Sequence, residues 1–290
     1  MPITSLRESK CLVTGAASGI GRAVAIAAAA EGAALFLTDI DAGALQGVAD
    51  QIRASGGDVR IAQAFDITDV AAVERFACDV HEAHGSLDVV MNIAGIAIWG
   101  SISALGDEHW RRCIDVNLMG PIHVLRCFVP PMIEAKRGGH VVNVSSAAGL
   151  FGLPWHAAYS ASKFGLRGLS EVLRFDLRRY RIGVTLVCPG AVDTGLVRTV
   201  QIVGIDTTTP EVMNLRGRFQ KHAISPDKAA RQILKGMLRN RYLVLTSFDV
   251  WLGYWGQRLF AWPYELVMRF MNDQLYAIAR RQRRGPGSAP

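Results

Sequence analysis

Lys10-Cys11-Leu12-Val13-Thr14-Gly15-Ala16-Ala17-Ser18-Gly19-Ile20-Gly21 opens the chain's most informative unit. A short β-rich run enters a glycine turn, and an Ala-rich helical segment follows over roughly residues 19–31. Residues 34–38 are apolar and strand-like, and Asp39 closes them. Strand, glycine turn, helix, strand, acid is the order that dinucleotide binding requires. The glycines let backbone amides approach a pyrophosphate, which then sits on the positive end of the helix. Asp39, eighteen positions after Gly21, is placed to accept hydrogen bonds from the adenosine ribose hydroxyls. A glycine triplet alone says little. Between a strand and a helix, with the acid at this distance, it predicts an α/β fold.

The second informative stretch is residues 146–163, Ser-Ala-Ala-Gly-Leu-Phe-Gly-Leu-Pro-Trp-His-Ala-Ala-Tyr-Ser-Ala-Ser-Lys. Tyr159 and Lys163 stand four apart, on one face of a helix. A phenol titrates near ~10, too high for a base at neutral pH. A nearby ammonium favours the phenolate and lowers that value. Ser146 follows a strand-like run and can meet the same reacting oxygen from the other side. The trio suits acid–base chemistry on an alcohol or carbonyl. A lone Tyr-x-x-x-Lys also arises by chance as a solvated ion face or a packing stripe, so the remaining landmarks decide.

With Thr14 in front, the Gly-x-x-x-Gly-x-Gly spacing resembles the short-chain dehydrogenase/reductase family. The resemblance covers about residues 8–248. It implies a Rossmann-type α/β fold: a doubly wound sheet of about seven parallel strands with helices on both faces. It implies a turn of Gly15, Ser18, Gly19, Ile20 and Gly21 on the pyrophosphate, and Asp66 and Ile67 flanking the adenine. Asn92-Ile93-Ala94-Gly95 stands where the family usually has Asn-Asn-Ala-Gly, with Asn92, Ala94 and Gly95 as cofactor contacts. Ile93 replaces the second Asn and predicts an apolar contact where others hydrogen-bond. Asn117, mid-helix, is implied to hold a water against Lys163. A strand over residues 139–144 is expected to deliver Asn143, Ser145 and Ser146 to the site. Pro189, Gly190, Val192 and Thr194 are implied to lie along the nicotinamide. Tyr159 is implied as acid/base, Ser146 as donor to the reacting oxygen, and Lys163 as a second contact to the nicotinamide ribose. The family also implies a homodimer or homotetramer, formed through helices expected over residues 107–136, broken near Pro121 and Pro130-Pro131, and 155–180.

Cofactor and substrate follow from charge and polarity. Asp39 repels a 2′-phosphate, and Ile40 and Ala17 offer no basic side chain to neutralise one, so NAD(H) is expected; a nearby arginine such as Arg22 could offset this. Ile96, Ile98, Trp99, Leu150, Phe151, Leu153, Trp155 and Leu196 surround the expected pocket, which suits a hydrophobic alcohol or ketone such as a steroid, retinoid or lipid-like compound. The rival reading is a non-catalytic NAD-sensing or scaffold protein on the same fold. No metal is expected, and His81 and His84 read as surface residues.

Composition bounds the rest. The chain has 290 residues, half of them hydrophobic, and a net charge of +7. Five widely spaced cysteines suit small core residues in a reducing compartment. Residues 1–10 are polar, and the apolar run at 23–30 is cut by Glu31 and Gly32, so a cytoplasmic protein without a membrane span is expected. The catalytic Rossmann domain is expected over residues 1–248, with a substrate lid at about 195–224. Residues 249–290 form an aromatic helical extension packed on the same domain and ending in Arg280, Arg281, Arg283 and Arg284. Three readings of that extension stand: packing against the core or a partner subunit, a wall over the substrate pocket, and a peripheral membrane contact. The arginines read as a solubilising tail, not as a nucleic-acid site.

Overall fold

The computed structural model describes residues 3–195, 200–210, 212–213, 217 and 223–284. Seven strands form one parallel sheet: β1 (Lys10–Thr14), β2 (Ala34–Asp39), β3 (Asp58–Ala64), β4 (Val89–Asn92), β6 (Gly139–Val144), β7 (Ile182–Cys188) and β9 (Leu243–Leu245). Their order is β3-β2-β1-β4-β6-β7-β9. The chain therefore winds outward in one direction from β1 and in the other from β4. The crevice between those two strands is the place where such sheets bind ligands. A separate two-stranded sheet joins β5 (Ile98–Gly100) to β8 (Gln201–Val203).

Strand alternation builds two cores. Cys11, Val13, Leu35 and Leu37 point to one face, against α1 (Gly19–Ala30), α2 (Ala42–Ala54) and α7 (Pro226–Leu238). Leu12 and Phe36, one residue out of phase, point to the other, against α3 (Val70–His84), α5 (Gly120–Ala135) and α6 (Ala157–Asp176). A sheet covered on both faces needs apolar residues at successive positions, and β6 and β7 are buried throughout. Asp41 and Asp69 cap α2 and α3 through their side chains.

The expected break at Pro121 does not occur. α4 (Asp107–Ile114) runs through a π-helical turn, Asp115–Met119, directly into α5, and Pro130 and Pro131 lie inside that helix. The wider turn re-registers the hydrogen bonds just ahead of a proline that cannot donate one. By length and composition this stretch is apolar enough to cross a membrane, but 50% of its most apolar window is buried inside the fold, as befits a core helix. His81 and His84 are half-exposed, and each has a neighbour in the fold. His81 bonds the Cys127 carbonyl at 3.2 Å and packs on Phe128, while His84 packs edge-on against Phe36. They join α3 to its neighbours. All five cysteines are free thiols.

After β9 come α8 (Phe248–Leu259) and α9 (Ala261–Arg284). Val250 is buried, and Gly253 lies against the Phe151 ring. Tyr264 Oη donates to the Gly152 carbonyl at 2.6 Å, Tyr276 meets Trp155 edge to face, and Ile278 and Ala279 pack with Trp155, Ile205 and Val212. The hairpin thus covers the stretch between Ser146 and Tyr159.

Candidate active site

The glycine turn, Asp39, Asp66, Asn92–Gly95, Ser146 and Pro189–Gly190 lie at or just after the C-terminal ends of parallel strands, so the sheet gathers them at one edge, while Asn117, Tyr159 and Lys163 come from helical segments. At the end of β1, Gly15 and Gly19 adopt positive φ of 70° and 53°. A Cβ on Gly15 would lie 2.8 Å from Ala94 Cα, and one on Gly21 would lie 1.9 Å from the Gly15 carbonyl oxygen. Only bare α-carbons let the turn fold back on α1 this closely. Thr14 ties the turn to its neighbour, its hydroxyl accepting from the Ile93 and Ala94 amides at 3.0 and 3.1 Å. Ser18 caps α1 by its backbone only, and the first-turn amides, including those of Ile20 and Gly21, face the crevice end of the helix. Asp39 stands beside the turn; its carboxylate accepts from Ala17 N at 2.9 Å and Asp41 N at 3.1 Å. Arg22 is directed elsewhere, to Gln51 Oε1 at 2.8 Å, nine residues along α2 from its start.

At the end of β3, Asp66 is exposed and accepts from Thr68 N, while Ile67 is buried with its methyl against Gly120. At the end of β4, the Asn92 side chain points into the protein. Its amide donates to Asn143, whose amide donates to Ser170, whose hydroxyl donates to the Leu166 carbonyl. Asn143 therefore braces the sheet to α6 and is not delivered to the site. Ile93 makes the apolar contact its identity predicts, packing against the core of the α1 face. Gly95 lies close to both Asn117 and Lys163: a Cβ there would be 2.9 Å from Asn117 Oδ1 and 3.2 Å from Lys163 Nζ.

The catalytic candidates converge. Ser146 lies beside the Tyr159 phenol, where it favours the ionised form, and its hydroxyl accepts from Ala148 N at 3.1 Å. Lys163 Nζ donates to the Val144 carbonyl at 3.0 Å and lies 5.8 Å from the centre of the Tyr159 ring. Tyr159, Lys163 and Asn117 are all buried. Burial pushes the Tyr159 phenol up to about 12, with the adjacent Ser146 hydroxyl working against it, and pulls Lys163 down to about 8. The direction is opposite to the expected lowering, because desolvation dominates. At neutral pH the pair is a protonated phenol beside a largely charged ammonium, poised to donate a proton.

Asn117 is fully engaged. Its amide donates to the Ile96 carbonyl and Ser162 Oγ, and its Oδ1 accepts from Ile96 N at 2.9 Å. Three protein groups thus hold the side chain, and Pro121, four positions on, has no N–H to offer the Asn117 carbonyl as an α-helical partner. Two serines act as positioning residues: Ser162, which the sequence reading missed, and Ser145, which it expected at the site. Ser162 bonds both Asn117 and the Tyr159 carbonyl, and Ser145 donates to the Lys163 carbonyl at 2.9 Å. The only signal for Ser162 was its place beside Lys163.

Along β7's exit, the Pro189 carbonyl accepts from Ala147 N, and Gly190 faces Ser247 and Val250 of the α8 entry. Val192 is buried and bridges to Ile224. Thr194 is nine-tenths buried against Gly19, closing the two ends of the crevice on each other. Tyr159 shares an apolar cluster with Ile98, Ala148 and Val200, lined further by Ile96, Trp99 and Leu153. Leu150 and Phe151, expected in the pocket, instead fill the joint under α8 with Val250 and Tyr254. Leu196 and thirteen of the thirty residues of the expected lid lie outside the described residues.

Comparison with known proteins agrees with this arrangement. The short chain dehydrogenase family model matches residues 9–202. The chain is 36% identical over 233 residues to the probable oxidoreductase EphD of Mycobacterium tuberculosis, covering 79% of this chain but 39% of that one. It spans, then, well under half the length of that relative. It is 33% identical over 253 residues to the CLA biosynthesis dehydrogenase/reductase of Lactiplantibacillus plantarum (83% and 88% covered). It is 35% identical over 207 residues to the 2-keto-3-deoxy-L-fuconate dehydrogenase of Xanthomonas campestris (71% and 66%). Among solved structures, a short chain dehydrogenase/reductase from Burkholderia phymatum in complex with NAD superposes with a TM-score of 0.76 at 29% identity, covering 88% of this chain and 96% of that one. A metagenomic short-chain oxidoreductase in complex with NADP gives 0.66 at 32%, covering 83% and 96%. With the glycine turn, the Ser146–Tyr159–Lys163 cluster and the sheet order all in place, this chain belongs to the short-chain dehydrogenase family.

Proposed function

We propose that the protein is an NAD(H)-dependent oxidoreductase that interconverts an alcohol and a carbonyl on an apolar substrate. The observation that carries this reading is the grouping of Ser146, buried Tyr159 and buried Lys163, with Lys163 Nζ 5.8 Å from the Tyr159 ring centre, at the same sheet edge as the glycine turn. The turn suits a dinucleotide: Gly15 and Gly21 let its backbone pack directly on Ala94 and on itself, as a tight pyrophosphate turn needs, and the Asp39 carboxylate stands next to it. Gly15, Ser18, Gly19, Ile20, Gly21, Asp39, Asp66, Ile67, Ala94, Gly95, Tyr159, Lys163, Val192 and Thr194 are the residues that would hold it. Asn92, Pro189 and Gly190 act through the backbone that frames it. When bound, the cofactor supplies or accepts the hydride.

In carbonyl reduction, Tyr159 gives its phenolic proton to the oxygen as negative charge grows there. Ser146 donates to the same oxygen. Lys163 keeps a positive charge beside the phenolate left behind, and the Asn117 carbonyl can hold a water that returns the proton. Alcohol oxidation reverses each step. Asp39 supports NAD(H) over NADP(H), since its charge repels a 2′-phosphate and Arg22 is occupied at Gln51. The apolar lining of Ile96, Ile98, Trp99 and Leu153 supports an apolar substrate. Exposed Phe164, Val172 and Phe175 on α6 support assembly through that helix.

The test is a change in NADH absorbance with the purified protein across alcohols graded in size and polarity. Turnover of bulky apolar secondary alcohols is expected. Turnover confined to a sugar acid, the kind of compound named for the Xanthomonas relative, overturns the substrate assignment.

A further inference from the structure

The α8–α9 hairpin buries one side and leaves the other apolar and bare. Trp251 and Trp255 on α8, and Trp262, Leu266 and Phe270 on α9, each follow a four-residue spacing, and Phe260 joins the two stripes at the turn. All six are exposed, from 42% for Trp255 to 71% for Trp262. Two helices burying Val250, Tyr264, Ile278 and Ala279 would ordinarily turn charged side chains outward. A contiguous apolar surface of this kind marks an interaction site.

Charge selects the occupant. Residues 248–284 carry six arginines against three acids (Asp249, Glu265 and Asp273), a surplus of +3. A symmetric contact with a second copy would bring two such surpluses together. An anionic bilayer neutralises them, and tryptophan favours the lipid–water interface, where its ring is apolar and its N–H wet. We infer that the α8–α9 face docks on an anionic membrane surface, with the tryptophans in the interface and the arginines on head groups. Arg258 and Arg280 are exposed at either end of this surface. The hairpin's inner side grips Gly152 and Trp155, in the stretch leading to Tyr159, so docking sets the substrate side of the site about one helix diameter, ~10 Å, from lipid. The corollary that an apolar substrate is taken from the bilayer rests on the function proposed above; the docking itself does not.

The experiment is co-sedimentation of the full chain with phosphatidylcholine–phosphatidylglycerol vesicles and with phosphatidylcholine vesicles, neither containing substrate. The chain is expected to partition at least about tenfold more onto the anionic vesicles, less so as salt rises. The Trp251→Ser/Trp262→Ser/Phe270→Ser variant is expected to lose at least about tenfold of that binding, since it removes three of the large apolar side chains that would enter the interface. If it melts early, Trp262→Ser alone carries the test at the most exposed of the six. Equal partition of wild type and variant overturns the inference. So does absence of vesicle binding by a dimer that the variant splits, which assigns the face to a second copy. Vesicle binding by a chain that turns over no alcohol leaves the docking standing and removes the enzymatic reading alone.

Discussion

The crevice edge of the sheet and the α8–α9 hairpin hold their side chains in opposite ways. At the crevice, Tyr159, Lys163, Asn117 and Ser162 are buried, and short hydrogen bonds to named backbone groups fix Lys163, Asn117 and Ser162 in place. The geometry there is over-determined, and its cost appears in two displaced pKa values, Tyr159 at about 12 and Lys163 at about 8. In the hairpin, a few anchors such as Tyr264 and Tyr276 hold two helices whose outer aromatics touch water. One region spends stability to hold reactive groups in place, and the other leaves apolar surface open to a partner. That contrast lets chemistry and docking be altered separately.

The largest effect should come from Lys163→Met, which removes the charge while filling most of the space. Activity is expected to fall by about 10²–10⁴, the range for acid–base machinery. Its melting temperature should hold or rise, because the folded ammonium is desolvated. Early melting would contradict the view that Lys163 is kept at a cost. Ser146→Ala comes next, lowering kcat by about 10²–10³ with little change in KM. A pure KM effect would recast Ser146 as a binding group. Asp39→Ala is expected to shift the NAD-to-NADP preference by about tenfold, ~1.4 kcal/mol, toward NADP, read from kcat/KM for each cofactor. An unchanged ratio would return the selectivity to another residue.

The pH dependence sharpens the same contrast. The folded value of Lys163 lies below its ordinary 10.5, so the unfolded chain binds the extra proton between about 8 and 10.5. Stability is therefore expected to rise with pH across that window from this group, while carbonyl reduction falls above about pH 8 as the ammonium is lost. The smallest effect should come from the hairpin: Tyr264→Phe removes one hydrogen bond to Gly152, costing about 1 kcal/mol in denaturant unfolding. A loss of several kcal/mol would mean the hairpin is as over-determined as the crevice.

The fold was legible because its signals are local. Thr14 to Gly21 lies on one strand exit, and the out-of-phase positions Leu12 and Phe36 assign both sheet faces. The convergence of Ser146, Tyr159 and Lys163 was legible too, since two lie on one helix turn and the third on the preceding strand exit. What was not legible depends on distant partners. Leu150 and Phe151 read as pocket wall until α8, about a hundred residues later, packs over them. The side-chain partners of Asn117, Ile96 and Ser162, lie 21 and 45 residues away, so spacing could not name them. Spacing also says nothing about desolvation, so the sign of the Tyr159 shift was misjudged.

The central claim, that Tyr159 is the acid/base of a dehydrogenase, is tested most directly by Tyr159→Phe. Two quantities should be read on one preparation: NADH-linked turnover of an apolar alcohol and NAD binding by fluorescence. The account predicts turnover lower by about 10²–10⁴ with NAD affinity within a few-fold of wild type. Retained turnover in a variant that still binds NAD would contradict it.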